Sequence, residues 1–455
     1  MLKLDERTQT LRKPERIQVL QDVDEPELYR DQFPYTALPR VEFDNFTVEP
    51  EPPEDIWITD TTFRDGQQAR PPFTVAQTIR LYELLHELDG GTGTIRQCEF
   101  FLYSDKDQQA VDRCRDLGFE FPEITGWVRA VKSDFKLVKR MGLKETGILT
   151  SASDYHIFLK LRRTRLQAME MYLDVVRSAL DAGVLPRCHF EDITRADIHG
   201  FVLPFACELM KLADEAKVPI KIRLCDTMGF GVPFSGAVLP RSVSRIVQLL
   251  RHEAGIPAER LEWHGHNDFH LGITNAVTAW RHGCAVCNGA LLSMGERTGN
   301  TPIEALVVWK AQLRGEDPKI DYEKITEIAR YCRKEIGLEL PNNYPLCGEG
   351  FNVTRAGIHA DGLLKNEEIY NCFDTAKILG RPVGVAITDK SGLAGIKHWI
   401  EHHYQVEDLQ KDDPRLVGLY DKIMAEYNAQ RTSAISDQEM AQWTESAFEN
   451  KLERQ

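Results

Sequence analysis

The chain has 455 residues, of which 42% are hydrophobic and 28% charged, an ordinary globular composition. Its formal net charge of -14 argues against nucleic acid or an anionic membrane as a partner, and no run of about eighteen apolar residues is present to span a bilayer. The ten cysteines lack the spacing of a disulfide framework, Cys284 and Cys287 read as core thiols, and the N-terminus has no apolar signal core, so a cytoplasmic protein is expected.

Residues 1–54 are charged, rich in proline towards their end, and read as an extension rather than a domain. From residue 55 a short apolar run alternates with an amphipathic helical stretch. The expected strands are 56–60, 94–100, 119–127, 144–151, 186–192, 220–226, 261–266 and 285–292, with helices between them such as 75–88 and 162–182. Eight strand-helix units predict an α/β fold, a (β/α)8 TIM barrel over 55–318, whose site lies at the C-terminal strand ends. The strand signal then fades. Residues 319–455 read as mainly helical subdomains, with helices at 321–336, 392–403 and 415–430 and a final short pair over 434–452.

The chemistry-bearing residues fall at the expected strand ends. Asp65 follows the first strand in the run TTFRDGQQ, and His264 and His266 end the seventh. Side chains two apart on a strand share a face, so both imidazoles and the carboxylate can meet at one metal ion. Mixed N/O ligands leave Mn, Mg, Co and Zn open. Arg64, beside that carboxylate, is placed to stabilise an enolate or alkoxide oxygen. Glu191 ends the fifth strand, where acid-base or water-orienting work is expected, whereas Asp197 reads as an acidic residue at a helix N-terminus. The loop Gly295–Asn300 is bounded by glycines and has a loose likeness to a phosphate cradle; Asn300 could reach the metal or its water.

The runs TTFRDGQQ, SASDYHIFLKL, FEDITRAD, CDTMGFGVP, HGHNDFHLG, GERTGNTPIEAL and GIHADGLLKN, in that order, resemble the Claisen-condensing branch of the DRE-TIM metallolyase superfamily, which holds isopropylmalate, homocitrate, citramalate and (Re)-citrate synthases. The resemblance covers residues from about 55 to about 405. It implies deprotonation of acetyl-CoA at its methyl group, enolate attack on a 2-oxo acid, and hydrolysis of the thioester. It also implies Asp65, His264 and His266 as metal ligands, with Asn300 bound directly or through water and manganese the first choice of ion. Thr227 and His156 would contact the oxo acid. His359, assisted by Tyr370 and Glu191, would act in deprotonation, donated by the neighbouring subunit of a homodimer with shared sites.

Arg187 lies four residues before Glu191 on the same strand face. In homocitrate synthases an arginine at this place resembles a clamp for the distal carboxylate. A guanidinium there favours a 2-oxo dicarboxylate, because an apolar acid would leave it unpaired. With the long N-terminal extension and Leu292-Ser293-Met294 before the GERTGN loop, the pattern is similar to the (Re)-citrate synthase group. Oxaloacetate is therefore the expected acceptor and citrate the product. Homocitrate synthase is the alternative, followed by isopropylmalate or citramalate synthase, and an acyl-CoA lyase is the competing class.

Overall fold

The structure is a computed structural model and describes residues 3–5, 10–12, 18–406, 409–449 and 452, apart from the side chains of residues 3–5 and 10–12 and of Leu364. The chain divides into two compact units, Met1–Asp321 and Tyr322–Gln455.

In the first unit eight parallel strands close into a barrel: β1 Trp57–Asp60, β2 Ile95–Phe101, β3 Glu123–Val128, β4 Glu145–Ser151, β5 Leu185–Glu191, β6 Lys221–Asp226, β7 Leu261–Gly265 and β8 Val286–Gly289. All eight expected strands are present. The third starts later than its apolar run, at Glu123, and Phe119 ahead of it stacks on His86. The eighth stops at Gly289, and Leu291–Ser293 forms a tight turn.

Helix boundaries follow local chemistry. Thr74, Ser104 and Thr164 each close a capping box with the side chain three residues on, satisfying donors that the first turn leaves open. Helix Val75–Asp89 buries Leu81, Leu84, Leu85 and Leu88, and it stops at Gly90. Gly90 has φ 60, and a Cβ there would stand 1.8 Å from the carbonyl oxygen of Lys319, so only glycine fits.

The barrel interior is not filled with branched aliphatics, as is usual for this fold. Gln97 and Glu99 on β2, Glu145 on β4, Arg187 and His189 on β5, Arg223 on β6 and Glu262 on β7 are all buried. Register puts His189, Arg223 and Glu262 at one level, and Glu191, Cys225, His264, Asn288 and Thr59 at the next, nearer the C-terminal mouth. Gly147 makes room for this polar core, because a Cβ there would lie 2.6 Å from the His189 ring and 2.9 Å from Glu99.

The second unit is mainly helical. Helices Gly392–His403, Pro414–Asn428 and Asp437–Ala447 pack Trp399, Ile400, Leu416, Leu419, Ile423 and Met440 into one core. The helix pair expected over 434–452 is a correction: among the described residues one helix forms there, started by Ser436 in a capping box with Glu439. Nine of the ten cysteines are buried, and Cys372 is exposed. Cys284 and Cys287 point their sulfurs at the carbonyls of Val286 and Ala276, each at 3.2 Å. Burial pushes both thiols up, which fits core packing. Among the described residues, no helix is long and apolar enough to cross a membrane.

Candidate active site

Asp65, His264 and His266 meet at the C-terminal mouth, with one ligand atom from each lying within 4.8 Å of the others. The chain positions them in two ways. After β1 the backbone turns tightly, with Gly66 and Arg64 both donating to the carbonyl of Thr61, and this brings Asp65 inward. His264 is the penultimate residue of β7 and His266 follows the strand, so their rings stand 5.1 Å apart on one side. The Asp65 carboxylate lies 3.1 Å from His266 Nε2 and 3.5 Å from His264 Nε2.

These residues suit a divalent ion. Burial alone would raise the Asp65 carboxyl, but Arg64 and the two imidazoles hold it well below the usual range, so it stays an anion. Burial, opposed by Asp65, pushes His264 down to about 3, so this ring stays neutral. Asn288 donates through its amide nitrogen to Thr59, so its oxygen, 2.7 Å from His264 Nδ1, accepts. The His264 proton is therefore on Nδ1 and the Nε2 lone pair is free for a metal. Asn300 Oδ1 is buried without a hydrogen-bond partner, while its nitrogen donates to the Met294 carbonyl. Such an orphaned acceptor calls for a ligand or water. We predict that Asn288→Ala weakens divalent-metal affinity about 10- to 100-fold, as loss of a ligand-orienting partner does elsewhere; equilibrium dialysis gives the value.

Arg64 is buried and not a surface residue. Its Nε donates to Glu99 Oε2 at 2.8 Å, and its Nη1 lies 3.2 Å from Asp65. Glu99, which sequence reasoning missed, is the hub beneath the site. Its other oxygen pairs with Arg187 at 2.8 Å, and Arg223 reaches Oε2 at 2.9 Å. Burial disfavours the Glu99 anion, but Arg223 and Arg64 outweigh it and keep this carboxyl far below its ordinary value.

Arg187 requires a correction. The guanidinium was expected to stay unpaired unless a dicarboxylate arrived. Instead its side chain is 1% exposed and already paired with Glu99 and with Glu145 at 3.0 Å. It stands four residues below Glu191, ~13 Å of strand. A substrate carboxylate would have to exchange for one of these glutamates, so selection by an orphan charge does not hold.

On the opposite side of the mouth, Glu191 faces His156, whose Nδ1 is 3.0 Å away, and accepts a hydrogen bond from Ser151. Burial would raise this carboxyl, but His156 and Ser151 bring it down to about 2. Its anion therefore contributes stability that is complete above the ordinary value of 4.5 and is lost as pH falls toward about 2. Urea midpoints of wild type and Glu191→Gln should converge across that window. Thr227 accepts a hydrogen bond from the Asp192 backbone at 2.8 Å. Arg297, a second residue not foreseen, links the two halves through the Thr227 carbonyl, Asp268 and His266 Nδ1.

The Gly295–Asn300 loop is folded on itself, not opened as a cradle. A Cβ on Gly299 would lie 1.7 Å from the Ser293 carbonyl oxygen, and the Gly299 carbonyl accepts from Asn267. These contacts bring Asn300 to His266, its partner in an isolated bridge. His359 and Tyr370 belong to the second unit, where their rings are 4.3 Å apart. Gly362 lets the Tyr370 ring lie against helix Gly357–Lys365, since a Cβ would approach within 2.5 Å.

An eight-stranded barrel with this buried Asp-His-His mouth is matched over residues 55–332 by the family model described as HMGL-like, and the chain belongs to that family. Among curated relatives, the citrate (Re)-synthase of Syntrophus aciditrophicus is 55% identical over 424 residues, covering 92% of this chain and 67% of that protein. The citrate (Re)-synthase of Clostridium kluyveri is 52% identical over 424 residues, covering 92% and 94%. Of solved structures, the hydroxymethylglutaryl-CoA lyase of Pseudomonas aeruginosa has the same fold, with a TM-score of 0.50, 17% identity, and coverage of 63% of this chain and 95% of that one.

Proposed function

We propose that this protein condenses acetyl-CoA with oxaloacetate, giving citrate and CoA. The observation that carries the reading is the buried Asp65, His264, His266 triad in a chain 52% identical, over 92% of its length, to a citrate (Re)-synthase that it covers almost completely.

A divalent metal held by Asp65, His264 and His266, with Asn300 near, would polarise the acceptor carbonyl; manganese is our first choice. Arg64, anchored by Glu99, presents its remaining N-H groups where negative oxygen develops during the attack. His156 and Thr227 hold the oxo acid, and Glu191, kept ionised, orients His156 or a water for thioester hydrolysis. Arg187 serves the distal carboxylate by exchanging partners with Glu99. Proton removal from the acetyl methyl falls to His359 with Tyr370, supplied by a second copy of the chain in a homodimer. The exposed face carrying Ile358, His359, Ile369 and Tyr370 supports this part of the reading, and we place the enzyme in the cytoplasm.

The test is CoA release from acetyl-CoA with Mn2+, run in parallel on oxaloacetate, 2-oxoglutarate, 2-oxoisovalerate and pyruvate. Turnover confined to oxaloacetate is the expected result. Preference for 2-oxoglutarate would make it a homocitrate synthase, and preference for a monocarboxylate would remove Arg187 from the site.

A further inference from the structure

The segment before the barrel is seated on the loops that carry the proposed substrate contacts. Backbone bonds join Gln21 N to the Gly200 carbonyl, Val238 N to Glu42 and Asp44 N to Gly236. Residues 21 to 44 thus run across the loops following β4, β5 and β6, which are consecutive at the barrel mouth.

Two of these seatings are built around buried groups. Asp154, 2% exposed, pairs with both ends of the Arg165 guanidinium at 2.9 and 2.7 Å. Arg165, 1% exposed, also reaches Asp197 at 2.9 Å and the Gln21 carbonyl at 3.0 Å. The Glu27 backbone N-H donates to Asp154 at 2.8 Å, and the Tyr155 hydroxyl donates to the Leu28 carbonyl at 2.7 Å. Both anchored residues immediately precede His156. Farther along, Phe33 packs on Phe230 at 4.8 Å, and Gln32 donates to the Leu239 carbonyl; Phe230 stands three residues after Thr227. Between the two seatings Tyr29 adopts φ 46, a left-handed conformation that persists only where surrounding contacts over-determine it.

We infer that residues 21–44 are a positioning strap. It fixes the turn carrying His156 and the loop carrying Thr227, and so sets the pocket for the 2-oxo acid rather than that for the thioester. The inference rests on the proposed roles of His156 and Thr227. Tyr155 and Phe33 act through the loops they hold, by way of the Leu28 carbonyl and the Phe230 ring. Losing one net hydrogen bond at a hinge of this kind changes a local equilibrium by up to about tenfold.

The test uses full-length Tyr155→Phe and Phe33→Ala, read by two measurements. In amide hydrogen exchange, Tyr155→Phe should speed exchange about tenfold at residues 153–160, and Phe33→Ala should do so at 228–241, with the barrel strands unchanged. In steady-state kinetics, the KM for oxaloacetate should rise five- to tenfold while the KM for acetyl-CoA and the Mn2+ affinity stay within twofold. Unchanged exchange in both segments would overturn the strap. So would faster exchange with equal rises in both KM values, the mark of a merely structural role. If the wild type turns over no oxaloacetate, the functional reading fails, and the exchange data still decide the tether.

Discussion

Asp65→Asn is expected to strip the protein of divalent metal and to lower citrate formation by about 10³-fold, the scale on which loss of a main electrostatic element acts. Two imidazoles would remain with no anion between them. The neutral amide removes the charge that Arg64 and both histidines face at 3.1 to 3.5 Å. Elemental analysis after dialysis checks the first half and CoA release the second. A variant that kept its metal and lost less than about tenfold in rate would show that Asp65 is not a ligand, and attention would move to Asn300 and Glu99.

Glu99→Ala is expected to cost about 3–5 kcal/mol of stability, because it leaves buried guanidinium groups without their shared counter-charge. Arg64, Arg187 and Arg223 all pair with this one carboxylate at 2.8 to 2.9 Å. Glu99→Gln keeps an acceptor and the shape and should fold better. It should still lose activity through the freed Arg64. Urea denaturation of both variants, with kcat and KM for Glu99→Gln, separates the two effects. A Glu99→Ala midpoint equal to that of wild type would mean that Glu145 and Glu262 neutralise the arginines unaided.

How much of this was legible in the sequence depends on how local the signal is. The strands were, because apolar runs bounded by turn residues repeat with helical stretches between them. The His264, His266 pair was, because residues two apart along an extended segment share a face, and His266 keeps that direction just past the end of β7. Glu99 was not read, although the signal existed: polar and charged residues recur at period two in Gln97-x-Glu99, Arg187-x-His189-x-Glu191 and Lys221-x-Arg223. Period two says that these side chains point into the barrel. It does not say that Glu99 meets Arg187 across 88 residues or Arg223 across 124, which only the closure order of the sheet decides. The pairing of Arg187 was illegible for the same reason, since its carboxylate partners at 2.8 and 3.0 Å lie on β2 and β4. The strap was invisible for another reason: many of its anchors are backbone groups, and composition carries no trace of them.

The distribution of thiols has a practical consequence. Nine cysteines are buried, and burial pushes those on the barrel strands up, so they are poor nucleophiles near neutral pH. Cys372 is exposed and two residues from Tyr370. A maleimide fluorophore added to the native protein should therefore attach at one position per chain without any engineered cysteine. Its anisotropy and quenching would then give an optical record of what the His359 segment does when acetyl-CoA and oxaloacetate are added in either order.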